Sequence, residues 1–267
     1  MKMYIFDAHA HIFPKKIAEK ASANIGAFYD LPMKFDGSID ELLNVCERSK
    51  ISKCVVHSVA TKKEQVESIN SFIYDSVSKY PDKFVGFCSL HPDMTQNEAD
   101  KEIEKAISLG FKGIKLHSDF QKFNIDDKHA FDLYEVIDNR LPILFHAGDK
   151  RFGYSSPLRL ASAAKRFQKQ RMIGAHFGGY TEWKDASRCL ADLENVWVDS
   201  SSTMEFISTE EVNEYVRAFT PDRIFFGTDY PMWSAEKEIE NINKLDLTDE
   251  EREKIFYKNI CEFLGER

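Results

Sequence analysis

Eight short apolar runs, each followed by a stretch with helical periodicity, recur through this 267-residue chain, and that alternation restricts the fold more than any other feature. The runs are Met3–Asp7, Ser52–His57, Phe84–Leu90, Gly113–His117, Ile143–His146, Met172–His176, Val196–Asp199 and Arg223–Gly227. They are rich in Ile, Val and Phe, and several are apolar at successive positions, as strands of a parallel sheet covered on both faces are. Between them lie helical patterns. One opens S-I-D-E, with Ser38 and Glu41 in capping-box spacing, and the last repeats the device with Thr248 and Glu251. Eight β/α units in about 260 residues match the size of a (β/α)8 barrel. A doubly wound open sheet is the alternative, but no G-x-G-x-x-G follows the first run. The sequence therefore predicts an α/β fold, a (β/α)8 TIM barrel forming a single domain over residues 1–267. One connection, residues 12–37, is oversized. It is expected near the mouth of the site, as a lid or binding loop or as an extra helix, K-K-I-A-E-K-A-S-A, with a tether on the barrel rim.

Composition removes several classes of partner. A formal charge of −8 disfavours nucleic acid and anionic membrane, both of which need clustered Lys and Arg. The five cysteines are odd in number and show no C-x-x-C spacing, so they read as reduced, mostly buried thiols. No apolar run approaches the roughly 18 residues of a membrane span, and the opening M-K-M-Y-I-F-D reaches an acid too soon for a signal peptide. The expected setting is cytoplasmic, with a small molecule as partner.

Seven of the eight histidines stand where an apolar run ends: His9, His11, His57, His91, His117, His146 and His176. Random placement would put roughly one there. Neutral imidazole is a frequent metal ligand and general base, so a ring of imidazoles at one end of a parallel sheet points to a metal-centred active site. In D-A-H-A-H, residues two apart on a strand point to the same side, which lets His9 and His11 face one ion. F-H-A-G-D at His146, G-A-H-F-G-G at His176 and F-G-T-D-Y-P at Asp229 each close a later run. A metal hydrolase needs such a set: neutral nitrogen donors, a carboxylate and an open position.

The motifs H-A-H-I-F-P, G-I-K-L-H, F-H-A-G, A-H-F-G-G, F-G-T-D-Y-P and K-N-I-C-E-F-L-G, in this order along the whole chain, strongly resemble the amidohydrolase superfamily. They resemble most the branch containing aminocarboxymuconate-semialdehyde decarboxylase and related decarboxylases, lactonases and hydratases. The resemblance implies a distorted barrel with one divalent metal at the strand C-termini, zinc first and manganese as the alternative. Carried over by motif, His9, His11, His146 and Asp229 are the metal ligands. Asp229 also handles protons, and His176 is the catalytic imidazole. Lys115 and His117 on the fourth run leave a second metal open, although a single one fits this branch better. The resemblance also suggests a homodimer.

Further residues have weaker claims. Lys115 and His117 are candidates for substrate contact, against a buried lysine paired with an acid such as Asp119 or Glu135. Arg151 offers a guanidinium fork for a substrate carboxylate, and Trp233 stands with Tyr180, Trp183 and Tyr230 among aromatics suited to a small organic acid. His57 and His91 read as rim histidines bonded to backbone, His129 as surface, and Asp7 and Asp199 as acceptors that orient a ligand. The leading expectation is a metal-dependent hydrolase cleaving a C–N or C–O bond of a small carboxylated compound. The alternative is a metal-dependent non-oxidative decarboxylase of a small aromatic or unsaturated acid. A non-catalytic metal-binding barrel is the third.

Overall fold

The computed structural model describes residues 4–266, so Met3, the expected start of the first strand, lies outside the described residues. Eight strands follow the expected order: β1 (Phe6–His11), β2 (Lys53–His57), β3 (Phe84–Ser89), β4 (Gly113–Leu116), β5 (Ile143–Phe145), β6 (Met172–Gly174), β7 (Val196–Asp199) and β8 (Ile224–Phe225). Each pairs in parallel with the next. Across the remaining seam the Ala8 N–H donates to Phe226 O at 2.8 Å and the His11 N–H to Tyr230 O at 2.7 Å. The sheet thus curls into a nearly closed (β/α)8 barrel, with a single core and helices outside it. The first strand runs past the Met3–Asp7 run to His11, so D-A-H-A-H is strand, as the placing of His9 and His11 on one side required.

Two apolar layers divide the strand residues between them. Phe6, Val55, Val85, Phe87, Leu144, Ile173 and Phe225 fill the barrel interior, and Ile260, Phe263 and Leu264 of the C-terminal helix pack against them. Their neighbours Cys54, Val56, Cys88, Ile114, Leu116, Ile143 and Phe145 face outward to the helices. Strand residues alternate in direction, so the positions two beyond an inward residue are inward as well. That rule carries His57 after Val55, His117 after Lys115 and His146 after Leu144 towards the axis.

In β1 the alternation is broken. Asp7 pairs with Cys54 but Ala10 with Val56, so one extra residue is inserted between them. Phe6 and Ala8 belong to the interior cluster, whereas Ala10 and Ile12 belong to the outer one. A bulge shifts the phase of a strand, and here it hands the inward positions to His9 and His11.

The oversized connection holds both expected features. It forms helix α1 (Ala18–Tyr29) over the barrel mouth, then a tether leading to α2 (Ile39–Ser49). No side chain caps the start of α1, so tertiary contacts anchor the segment. Ser22 Oγ donates to Phe35 O at 2.8 Å, and the chain folds back so tightly after α1 that a Cβ on Gly26 would stand 2.7 Å from Leu31 O. By contrast α2 has its Ser38 cap, and the helix starting after Thr248 has the full reciprocal box with Glu251. Helix α3 (Val66–Lys79) flanks α1 on the other side of a cleft. All five cysteines are free thiols. Among the described residues no helix is long and apolar enough to cross a membrane.

Candidate metal centre

His9 Nε2 and His11 Nε2 lie 3.2 Å apart at the strand C-terminal end, and Asp229 Oδ1 is 3.5 Å from each. Donors held about 2.1 Å from one ion stand roughly 3.0–3.4 Å from each other, so these three atoms already have the spacing of one face of a coordination shell. Two of the three are aimed by a neighbour. His9 Nδ1 donates to Asp199 Oδ2 at 2.9 Å, which leaves the Nε2 lone pair turned to the site. Asp229 Oδ2 accepts from Ser202 Oγ at 2.5 Å. Asp7 receives the His9 and Thr228 N–H groups and the Thr228 hydroxyl, tying β1 to the loop that carries Asp229.

His146 and His176 face each other across the same cavity, with His146 Nδ1 3.1 Å from His176 Nε2. His176 Nδ1 lies 3.2 Å from Ser201 O, an acceptor that fixes its proton there and frees Nε2. The backbone at His176 (φ 60°) and Asp229 (φ 53°) is left-handed. For residues other than glycine that conformation costs of order 1 kcal/mol, and it persists where surrounding contacts dictate it. Gly227, just before, is needed for close approach: a Cβ there would sit 3.2 Å from His9 Cβ and 3.3 Å from Asp199 Oδ1.

Burial sets the charge states. It holds His9, His11, His57, His117 and His146 well below the ordinary imidazole range and lowers His176 to about 4. All are neutral, with lone pairs available. Burial also raises Asp229 to about 6, against the Ser202 hydrogen bond, and lowers Lys115 to about 8. Neutral imidazoles with the Asp229 carboxylate among them offer the nitrogen and oxygen donors that a divalent cation takes.

A cavity of about 20 Å³ opens beside the donors, walled by His11, His146, His176 and Asp229 and roofed by Tyr29, Met33 and Phe120. That is room for the centre of little more than one water molecule. Tyr29 closes it: its hydroxyl is 3.0 Å from His117 Nε2 and 3.4 Å from His146 Nε2. The rings of Phe120, His117 and His146 form a stack, with centroids 3.8 Å and 4.1 Å apart.

A model of the amidohydrolase family matches residues 6–265. The chain belongs to that family. Three decarboxylases have solved structures similar to this amidohydrolase-family chain. The 5-carboxyvanillate decarboxylase of Sphingomonas paucimobilis is 13% identical, with TM-score 0.77 and 100% of each chain covered. A dihydroxybenzoic acid decarboxylase from a Polaromonas species, with manganese and 2-nitroresorcinol bound, is 15% identical, with TM-score 0.77 and coverage of 99% of this chain and 97% of that one. The 2,6-dihydroxybenzoate decarboxylase of Rhizobium is 17% identical, with TM-score 0.74 and 99% of each chain covered. At these identities the likeness is one of fold.

The amidohydrolase barrel brings His9, His11, His146, His176 and Asp229 to one place. His117 lines the same cavity. Lys115 is fully buried, its Nζ 3.0 Å from His9 Nε2, and it pairs with neither Asp119 nor Glu135. Arg151 is committed elsewhere: two of its nitrogens meet the Asp149 carboxylate and a third donates to Phe28 O at the end of α1. Trp233 Nε1 donates to Ser202 Oγ at 2.7 Å, which places the indole behind Asp229. His91 has the expected backbone contact, accepting from the Asp93 N–H, and His129 is exposed.

His57 corrects the rim-histidine expectation. It is fully buried, its ring centroid is 4.4 Å from that of His11, and among the described residues neither of its nitrogens has a hydrogen-bond partner. Its donor atom lies within 4.8 Å of those of His9 and His11. An unsatisfied buried imidazole beside His9 and His11 is a place where a cation would restore the missing interaction. Tyr29 lies in the 12–37 connection expected at the mouth of the site, but its contact with His117, 88 residues away in sequence, was not foreseen.

Proposed function

We propose that this protein is a metal-dependent, non-oxidative decarboxylase of a small aromatic or unsaturated carboxylic acid, with one divalent ion, zinc or manganese, held by His9, His11, His146 and Asp229. The observation that carries this reading is the cavity wall. It is built of imidazoles, aromatic rings and apolar side chains, and Asp229 is its single carboxyl among the described residues. Decarboxylation breaks one C–C bond, releases carbon dioxide and needs one proton for the carbon left behind. One acid suffices. The activities of the three similar decarboxylases support the same choice over the hydrolysis that the sequence favoured.

A bound divalent ion supplies Lewis-acid stabilisation of negative charge on substrate oxygen. The chain does the rest. Phe120 and the stacked His117 present a flat face to a planar acid, while Tyr29 and Met33 exclude bulk water. Asp229 delivers a proton from its carboxyl oxygen to the carbon that has lost the carboxylate. Solvent then returns the proton. His176, kept neutral and fixed by Ser201, orients an oxygen substituent by its Nε2.

The second reading, hydrolysis of a C–N or C–O bond, draws on the room for one water beside the donors. Metal-loaded protein is incubated with a panel of hydroxybenzoates, including 2,6-dihydroxybenzoate, and a panel of esters, lactones and amides. We expect one carbon dioxide per acid consumed and none from Asp229→Asn. Cleavage in the second panel without carbon dioxide release would establish hydrolysis instead.

A further inference from the structure

The cavity at the donors is too small for the body of any organic substrate, yet one of its walls is shared. His11, Ile25 and Phe120 also border a cleft of about 550 Å³ between α1 and α3. Ile25 and Phe28 of α1 face Ile69 and Phe72 of α3 across it, with Val59 at its base. Among the described residues no Asp, Glu, Lys or Arg lines this cleft, and its polar groups, such as Gln65 and Ser68, are uncharged. Its volume falls in the range of about 300–1,000 Å³ typical of small-molecule sites.

From this shared wall we infer that the cleft is a second substrate subsite, which takes an uncharged apolar substituent of an acid whose head group lies at His11 and Asp229. The inference rests on the metal-site reading above and adds a substrate class to it: a carboxylic acid that carries an alkyl or aryl extension. A charged tail would be desolvated there with no partner, at a cost that pairing elsewhere could not recover. An apolar tail loses nothing polar, and each methylene removed from water tightens binding about threefold to fourfold. Phe120, at the junction, touches both compartments and so sets the angle between head and tail.

Hydroxamic acids of increasing chain length test this, because the hydroxamate binds a metal without being turned over. Calorimetry on zinc-loaded protein would compare acetohydroxamate with its butano, hexano and octano homologues, in the parent and in Ile69→Arg and Phe72→Ala. Both substituted side chains are partly exposed, which favours intact folding. We expect affinity to rise about threefold per methylene in the parent and the rise to flatten in both variants, with acetohydroxamate binding all three proteins alike. Equal affinity along the series in the parent would overturn the cleft, and so would a rise that both variants retain. Failure of acetohydroxamate to bind the parent would overturn the metal reading and the subsite with it. A shift of the parent from dimer to monomer on Ile69→Arg, together with a flat series, would assign the cleft to contact between two copies of the chain.

Discussion

At the scale of single residues, the site is held by groups that never reach substrate. Asp199 fixes the proton of His9 on Nδ1, and losing such an acceptor costs about 10–100-fold in metal affinity. Asp199→Asn should therefore weaken zinc binding by that factor in a competition assay with a chromogenic chelator, while the His9→Ala/His11→Ala double variant should retain no zinc. Equal affinity of Asp199→Asn and parent would mean that His9 is oriented by packing alone. The clustering of His9, His11, His146 and His176 was legible in the sequence because each closes an apolar run. His57 satisfied the same pattern and was still placed on the rim, since a following S-V-A-T looked like a turn. Its position two after inward Val55 was the usable signal. Arg151 misled for the opposite reason: a guanidinium near the site is visible in sequence, whereas the Asp149 that occupies its fork is a matter of backbone geometry, with Asp149 at φ 109°.

At the scale of elements, two helices show how buried groups tie local structure to pH and to access. Glu238, in the helix Ala235–Asn243, is fully buried, and among the described residues neither carboxylate oxygen has a partner. Burial raises it well above 4.5, so the folded chain keeps a proton that the unfolded chain gives up. Between 4.5 and the folded value, stability from this group falls as pH rises, by at most about 1.4 kcal/mol per pH unit. Glu238→Gln should raise the melting temperature at pH 7.5 more than at pH 5, as read by calorimetry; an equal gain at both would refute the assignment. Helix α1 was expected only as one of two alternatives, because its amphipathic pattern is weak and its start lacks a capping side chain. What holds it is remote: Phe35 O, Arg151, and the imidazoles that meet Tyr29.

For the whole molecule, the barrel separates stability from chemistry along its axis. Phe225 and Trp197 pack on Phe263 of the C-terminal helix, with centroids 5.2 Å and 4.8 Å away, within the interior cluster that contains none of the donor histidines. Phe263→Ala should cost about 3 kcal/mol and lower the melting temperature by several degrees, with zinc affinity unchanged. Loss of zinc along with stability would show that the two ends are coupled. The fold was legible because eight apolar runs leave few other ways to bury them, and the strand limits differed mainly at β1 and β8. The choice between hydrolysis and decarboxylation was not legible, since both use the same donors and differ in the shape and dryness of a cavity assembled from four loops and α1.

The bulge in β1 makes that separation possible within one strand. Below it the chain spends its inward positions on Phe6 and Ala8, and above it on His9 and His11. One inserted residue thus works like a frame shift in space: each half can vary under its own rules, packing in one and coordination in the other. Deleting Ala8 would remove the inserted residue and leave Phe6, His9 and His11 at alternate positions of one regular strand, so both halves would keep their inward side chains. What the strand would lose is the apolar contact of Ala8 and the freedom of the two halves to be set apart.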